Sequence, residues 1–398
     1  MNQKVNYGVV FSFVLLLVAF FYIGVLAPKD EKALERENRE ITPMPKLTWD
    51  AVVSGEYSQN FENYLADNVG YRSRFMETSS FLSKWKGLQS KKGSIKTVSK
   101  DLGTGNTGEQ YALWLNNGRI MEVYDENVKT RDAYVAMLNG YAATLPEDVR
   151  IISLIAPTQI EFNNTEKLSD SQKATIDYVY KNADNRIVTV DAYGSLKKHK
   201  NEYIFFRTDH HWTQKGAFYA YQAYCNTVLG EKTSLSDYTV RSAEGFLGTL
   251  YDKYNDVSLK KYADTVEWLD FGKNYTIEAT AFENGAFVNY QGVLYNVPQS
   301  TEMPAYAKLF MCGDHQFAKI TSDNKNGKTL LVIKDSYANA LIPLLTQNYE
   351  TVIAIDPRNY YGKVTDLVKE YQVDDCLIIN YTFTTTFADI VERMNVIR

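Results

Sequence analysis

From Val149 to the C-terminus, short apolar runs alternate with segments of helical character, a rhythm that few folds can accommodate. VRIISLIAP reads as a buried strand ending at Pro157, and RIVTVDAY as a second short strand. A helical SLKKHK piece and the strand EYIFF follow. TDHHWTQKGAFYAYQAYCNTVLG opens as a loop and becomes a helix, with Thr213 as its N-cap and Gly230 as its stop. KLFMCGD and KTLLVIKDS are two further strands, SYANALIPLLTQNY a helix, and TVIAIDPRNYY a strand and loop. KVTDLVKEYQ is a helix, DCLIINYT a strand and FADIVERM the last helix. Such alternation predicts an α/β layer fold, a mostly parallel sheet flanked by helices. From about residue 234 to 305 the rhythm breaks into a Tyr-, Thr-, Val-, Phe- and Gly-rich stretch, read as a β-rich insertion or lid.

The N-terminus obeys a different logic. Tyr7 to Leu26 is apolar or small throughout and carries no charge. About 20 such residues suffice to span a bilayer as a helix. Lys4 before the run favours a cytoplasmic N-terminus. Val25-Leu26-Ala27 is a poor signal-peptidase site with Pro28 directly after it, and no cysteine closes the run. The expectation is an uncleaved single-pass anchor over residues 1–28, a charged stalk over 29–53 that includes KDEKALERENRE, and an extracytoplasmic domain over 54–398. Within Ser54 to about Lys92, Phe61, Tyr64, Leu65 and Val69 recur at helical spacing, as do Phe75, Phe81, Leu82 and Trp85 more loosely. Between them DNVGYRSRF forms a turn with Asn68, Gly70 and Arg72.

With 398 residues the chain has room for one large domain with insertions or for two domains. A net charge of −5 gives no reason to expect nucleic acid as a partner. The three cysteines, Cys225, Cys312 and Cys376, lack the spacing of a disulfide framework or a zinc site, and each sits in an apolar run as a buried thiol would. The 30 tyrosines suit sugar faces and β-sheets equally.

Histidine is scarce: His199, His210, His211 and His315. Two fall together in Thr208-Asp209-His210-His211-Trp212-Thr213, after a predicted strand, where open α/β sheets place their sites. Adjacent histidines tend to point apart, and no other His- or Cys-rich segment completes a tetrahedral set, so neither metal nor cofactor is expected. Acyl chemistry fits better. A serine hydroxyl needs a base, and the base needs an acid to hold its tautomer. Asp209 can orient and His211 can accept the proton. In LLVIKDSYANALIPLL a buried strand turns at Asp335-Ser336 into a helix. Ser336 at that helix start, with the Tyr337 backbone N–H as oxyanion donor, completes a nucleophile site. Plainer roles are an N-cap for Ser336 and a hydrogen-bonded structural histidine for His211.

TDHHWT and IKDSYANAL resemble the corresponding segments of the DHHW family of bacterial exported proteins. They are also similar to the alginate O-acetyltransferase group within the SGNH-hydrolase class, in which a D-x-H motif precedes a D-S motif as it does here. ENYLADNVGYRSRF, YIFFRTDHHWTQKGAFYAY and the tail from KTLLVIKDS to AIDPRNYY carry the likeness over most of the exported part. It implies an SGNH-hydrolase-like, flavodoxin-like sheet and triad roles for Asp209, His211 and Ser336. Arg358 then stands where such proteins often place an arginine near the nucleophile, although a surface arginine is the plainer reading. Asn339 is a candidate oxyanion donor. Lys334 replaces the usual glycine before Asp-Ser, and His210 replaces the small residue of the D-T-H form. The implied activity is O-acetyl transfer to, or ester removal from, a cell-surface or exported polysaccharide, with a membrane acetyl-donor protein as a partner. The alternative is a catalytically inactive glycan-binding or scaffold protein of the cell envelope.

Overall fold

The computed structural model describes residues 3–26, 43–68, 78, 94–101, 106–254, 256–283, 286–295, 306–311 and 313–398. The expected stalk over Lys29 to Glu40, the turn positions Gly70 and Arg72, the aromatic positions from Phe75 to Trp85, and Cys312 lie outside these residues. The chain divides into two compact units, Met1–Lys92 with Tyr251–Lys261, and Gly93–Leu250 with Tyr262–Arg398.

In the first unit a helix, Gln3–Leu26, forms on the N-terminal apolar run, and its described side chains, Phe11, Leu15 and Phe21 among them, are exposed. Part of that run has no described side chains. Among the described residues no helix is long and apolar enough to cross a membrane. A short helix, Trp49–Val53, is capped by the Thr48 hydroxyl, and the helix Glu56–Asn68 stacks Phe61 between Tyr57 and Tyr64.

The second unit begins with an antiparallel meander that the sequence pattern did not signal: β1 (Ser94–Asp101), β2 (Asn106–Asn116) and β3 (Arg119–Glu122). The strands β4 (Arg150–Ala156) and β5 (Ile187–Val190) follow. In the insertion, β6 (Thr239–Phe246) and β7 (Asp264–Asp270) form a two-stranded ribbon, and β8 (Thr276–Glu283) pairs with β9 (Ala286–Val293). Then come β10 (Phe317–Thr321), β11 (Thr329–Lys334), β12 (Thr351–Ile355) and β13 (Asp375–Tyr381). The main sheet runs β5-β4-β13-β11-β12-β10-β8-β9. The five strands from β5 to β12 are parallel, and the last three extend the sheet antiparallel.

The parallel strands are continuous apolar runs because both of their faces are covered. Ile152, Leu154, Leu330, Val332, Leu377 and Ile379 join one core with Leu196, Phe218, Tyr221 and Tyr224. Ile151, Ile155, Leu331, Ile333, Cys376 and Ile378 join the other, against Tyr134, Tyr141, Ile176, Leu367 and Met394. This alternation is the period-2 pleat read into two helix layers. The tyrosines serve the core more than any surface: Tyr124, Tyr134, Tyr141, Tyr224, Tyr337 and Tyr349 are fully buried, and the Tyr134 hydroxyl donates to Asn380 Oδ1 at 2.9 Å. Cys225 and Cys376 are buried free thiols.

Two predicted strands do not form. EYIFF makes a single bridge, Phe205 to Trp212, because the chain turns back at once into the His-bearing loop. KLFMCGD becomes the short helix Tyr306–Leu309 and one bridge, Phe310 to Tyr295, while the next segment supplies β10. SYANALIPLL is a 3-10 turn, Ser336–Ala340, followed by the short helix Ile342–Leu345 with Pro343 in its first turn. Thr213 does cap its helix, Gln214–Tyr224, and Gly230 ends the following π turn at φ 70°.

Candidate active site

The loop that carries Asp209 and His211 is a tight reversal. Thr213 N donates to Ile204 O at 3.0 Å and Phe206 N to His211 O at 3.3 Å. Asp264, at the start of β7, holds the reversal from below, accepting Arg207 N and Thr208 N at 2.8 Å, Thr208 Oγ1 at 2.6 Å and the Tyr203 hydroxyl. Burial pushes the Asp264 carboxyl up, and these four donors oppose the shift. The opposing turn starts at the end of β11. Its N-cap is Asp335, whose Oδ1 accepts Tyr337 N at 3.0 Å, so Ser336 is the first residue inside the turn and not its cap.

The two segments meet. His211 Nδ1 lies 2.6 Å from Asp209 Oδ1, and His211 Nε2 lies 2.8 Å from Ser336 Oγ. Asp209 is fully buried and His211 is 4% exposed. The same Asp209 oxygen accepts His211 N at 3.0 Å, while Oδ2 accepts Thr249 N at 2.9 Å and Thr249 Oγ1 at 3.2 Å. Gly248 has to be glycine for this approach: a Cβ there would stand 2.2 Å from Asp209 Cβ. Burial alone would raise the Asp209 carboxyl. The attraction of His211, its hydrogen bonds, and His210 outweigh burial and hold the group below the usual carboxylate range. Asp209 thus stays ionised as an acceptor. The ring arrangement differs from expectation, because His210 and His211 do not point apart; their centroids are 3.8 Å apart at 36°. Ligand atoms of Asp209, His210 and His211 lie within 4.8 Å of one another, but both Asp209 oxygens already serve the donors just named.

The other expected residues do different work. The Tyr337 amide, expected as an oxyanion donor, is committed to Asp335, and the Tyr337 hydroxyl donates to His210 O. Asn339 is buried and donates Nδ2 to Asp314 Oδ1 at 2.8 Å. Arg358 is no free surface arginine: it grips Asp356 through Nε at 2.9 Å and a terminal nitrogen at 2.5 Å, with Asp314 Oδ2 3.5 Å away. Thr249, Gly248, Asp264, Asp314 and Tyr306, which stacks on His211, were not found by sequence reasoning. They come from the insertion and its flanks, where a Gly-Thr pair signals only a turn.

Asp335 also ties the Ser336 turn to the end of β13, since its Oδ2 accepts Tyr381 N and Thr384 Oγ1 at 2.9 Å and Asn380 Nδ2 at 3.3 Å. Burial pushes its carboxyl up from 3.8 to about 6 despite these donors. A raised carboxyl favours the protonated fold, so its penalty is complete above about pH 6 and is relieved as the pH falls toward 4. Relative to Asp335→Asn, the wild type should therefore gain stability on acidification from pH 7 to 4, by at most about 3 kcal/mol. Urea midpoints at several pH values read the difference, and a flat difference would refute the raised carboxyl.

No curated protein matches the chain. Among solved structures, a DHHW family protein from Eubacterium siraeum aligns with 26% identity and a TM-score of 0.62, over 75% of this chain and 97% of that one. Bacillus cereus PatB1 aligns with 18% identity and a TM-score of 0.59, over 69% and 97%, and PatB1 with a sulfonyl adduct with 17% and 0.59, over 71% and 97%. The PatB1 likeness is one of fold. The model of the family described as DHHW protein matches residues 97–355, which take in both the TDHHWT and the KDS segments, and the chain belongs to the DHHW family.

Proposed function

We propose that the protein is an extracytoplasmic O-acyltransferase or acetylesterase acting on a cell-surface or exported polysaccharide through Ser336, His211 and Asp209. The observation that carries this reading is the His211 imidazole bridging Asp209 Oδ1 at 2.6 Å and Ser336 Oγ at 2.8 Å. In that arrangement Ser336 Oγ attacks the acyl carbonyl as its proton passes to His211 Nε2. The tetrahedral adduct collapses, the donor oxygen leaves with that proton, and the acyl group stays on Ser336 as an ester. An acceptor hydroxyl then gives its proton to His211 and takes the acyl group, restoring Ser336; water in its place makes the reaction hydrolysis. With the Tyr337 amide occupied, the oxyanion is assigned to the Ser336 amide at the head of the turn. The fold likeness to PatB1, which has been solved with a sulfonyl adduct, is in keeping with the same reading. The N-terminal apolar helix is proposed as the membrane anchor, with a membrane acetyl donor as partner.

A second reading, a non-catalytic glycan-binding or scaffold protein, is favoured by one observation: Tyr337 N and Asn339 Nδ2, both expected as oxyanion donors, are engaged by carboxylates. Intact-mass analysis of the full chain treated with p-nitrophenyl acetate separates the two. Under the enzyme reading an acetyl adduct maps to Ser336 and is absent from Ser336→Ala and His211→Ala. No adduct on the wild type, or an unchanged one in the variants, would favour the binding protein.

A further inference from the structure

The β-rich insertion returns to the main sheet through an aromatic wall that ends on the triad histidine. Leu294 accepts Met311 N at 2.9 Å, and the Tyr295–Phe310 bridge fixes the short helix Tyr306–Leu309 beside the site. From that helix Tyr306 lays its ring on His211, with centroids 3.7 Å apart and planes 11° from parallel. Phe206 and Phe310 hold the Tyr306 ring edge-on at 6.1 and 5.6 Å, and Tyr306 is only 2% exposed. Its buried hydroxyl lies near Trp212, whose Nε1 donates to Tyr337 O, and near Ala340, and among the described residues it makes no hydrogen bond of normal geometry. The well-formed contact of the residue is its ring face, laid on His211.

Resting on the Ser336 reading above, we infer that Tyr306 is a positioning residue for His211, holding the imidazole in its Ser336-facing rotamer and stabilising the imidazolium that forms when the serine proton is taken. An aromatic face attracts a cation more than a neutral ring. The stack is therefore stronger in the transition state than in the resting enzyme, and its loss should fall on kcat rather than on KM. Asp209 and Tyr306 then divide the work: the carboxylate fixes the imidazole edge, and the tyrosine covers one face against water.

The test uses the full chain and phenylmethylsulfonyl fluoride, whose reaction at Ser336 needs the histidine but no acyl donor. Tyr306→Leu should label about tenfold more slowly than wild type, with kcat for p-nitrophenyl acetate reduced in parallel and KM unchanged. Tyr306→Phe keeps the ring and its stack, and should label within about twofold of wild type. The downfield His211 Nδ1 proton resonance should persist in Tyr306→Phe and broaden in Tyr306→Leu, a readout that needs no turnover. Wild-type labelling in Tyr306→Leu, or equal loss in the Phe and Leu variants, overturns the inference while leaving the Ser336 reading intact. A wild type that is never labelled overturns that reading and the inference with it.

Discussion

Asp209→Asn should lower kcat by about 10⁴-fold while leaving the fold and KM unchanged. The direction follows from which way the amide must sit. Thr249 N and Oγ1 both point at Oδ2, at 2.9 and 3.2 Å, so the side-chain carbonyl takes that position. The NH₂ group is then placed at Oδ1, 2.6 Å from His211 Nδ1, and the bond that Oδ1 accepts from His211 N at 3.0 Å is given up. Facing a donor, Nδ1 becomes the acceptor, and the imidazole proton moves to Nε2. Nε2 then carries a hydrogen toward Ser336 Oγ and cannot take the serine proton. Circular dichroism should show an intact fold, because Asp209→Asn preserves volume and the Thr249 contacts. Activity within tenfold of wild type would show that the Asp209–His211 bond has no part in turnover and would remove Asp209 from the proposed triad.

The residues of this arrangement were legible because each sits in a local pattern. Asp209 and His211 share one short loop, and Ser336 follows a run of apolar residues whose burial is continuous from Thr329 to Lys334. The parallel strands were legible for the same reason: a segment covered on both faces has to be apolar throughout. EYIFF misled because its residues suit a strand, while its neighbours reverse the chain after one bridge. The meander of β1 to β3 alternates too weakly to stand out. The supports of the site left no mark in the sequence. Asp264 and Thr249 act through hydrogen bonds to residues 56 and 40 positions away, and Tyr306 through a ring contact across 95 positions, distances at which no periodicity operates. The Tyr337 amide was misassigned because helix starts usually leave their first N–H groups open. Here the cap residue, Asp335, closes that one itself.

Lys334, which departs from the glycine usual before Asp-Ser, explains itself in the fold and sets the second large expected effect. Its side chain is 1% exposed and turns toward two carboxylates, Asp314 Oδ1 at 3.3 Å and Asp356 Oδ2 at 3.9 Å. Arg358 lies against the same two acids, at 3.5 and 2.5 Å. The buried Asp356 and the mostly covered Asp314 balance the two cations, and the lysine faces this cluster instead of Ser336. Burial would push Asp314 up, yet Lys334, Arg358 and the Asn339 bond hold it below the usual carboxylate range, so it remains charged. Lys334→Met therefore leaves two ionised acids facing one arginine in a site with little water, and should cost about 3–5 kcal/mol in urea unfolding. Adding Asp314→Asn restores the charge balance and keeps an acceptor for Asn339, so the double variant should recover much of that loss. A Lys334→Met midpoint close to wild type would mean that the acids are neutralised by protons or by Arg358 alone. The expected loss would instead identify Lys334 as a structural cation at the base of the Ser336 turn, so that its departure from the motif says nothing against a reactive Ser336.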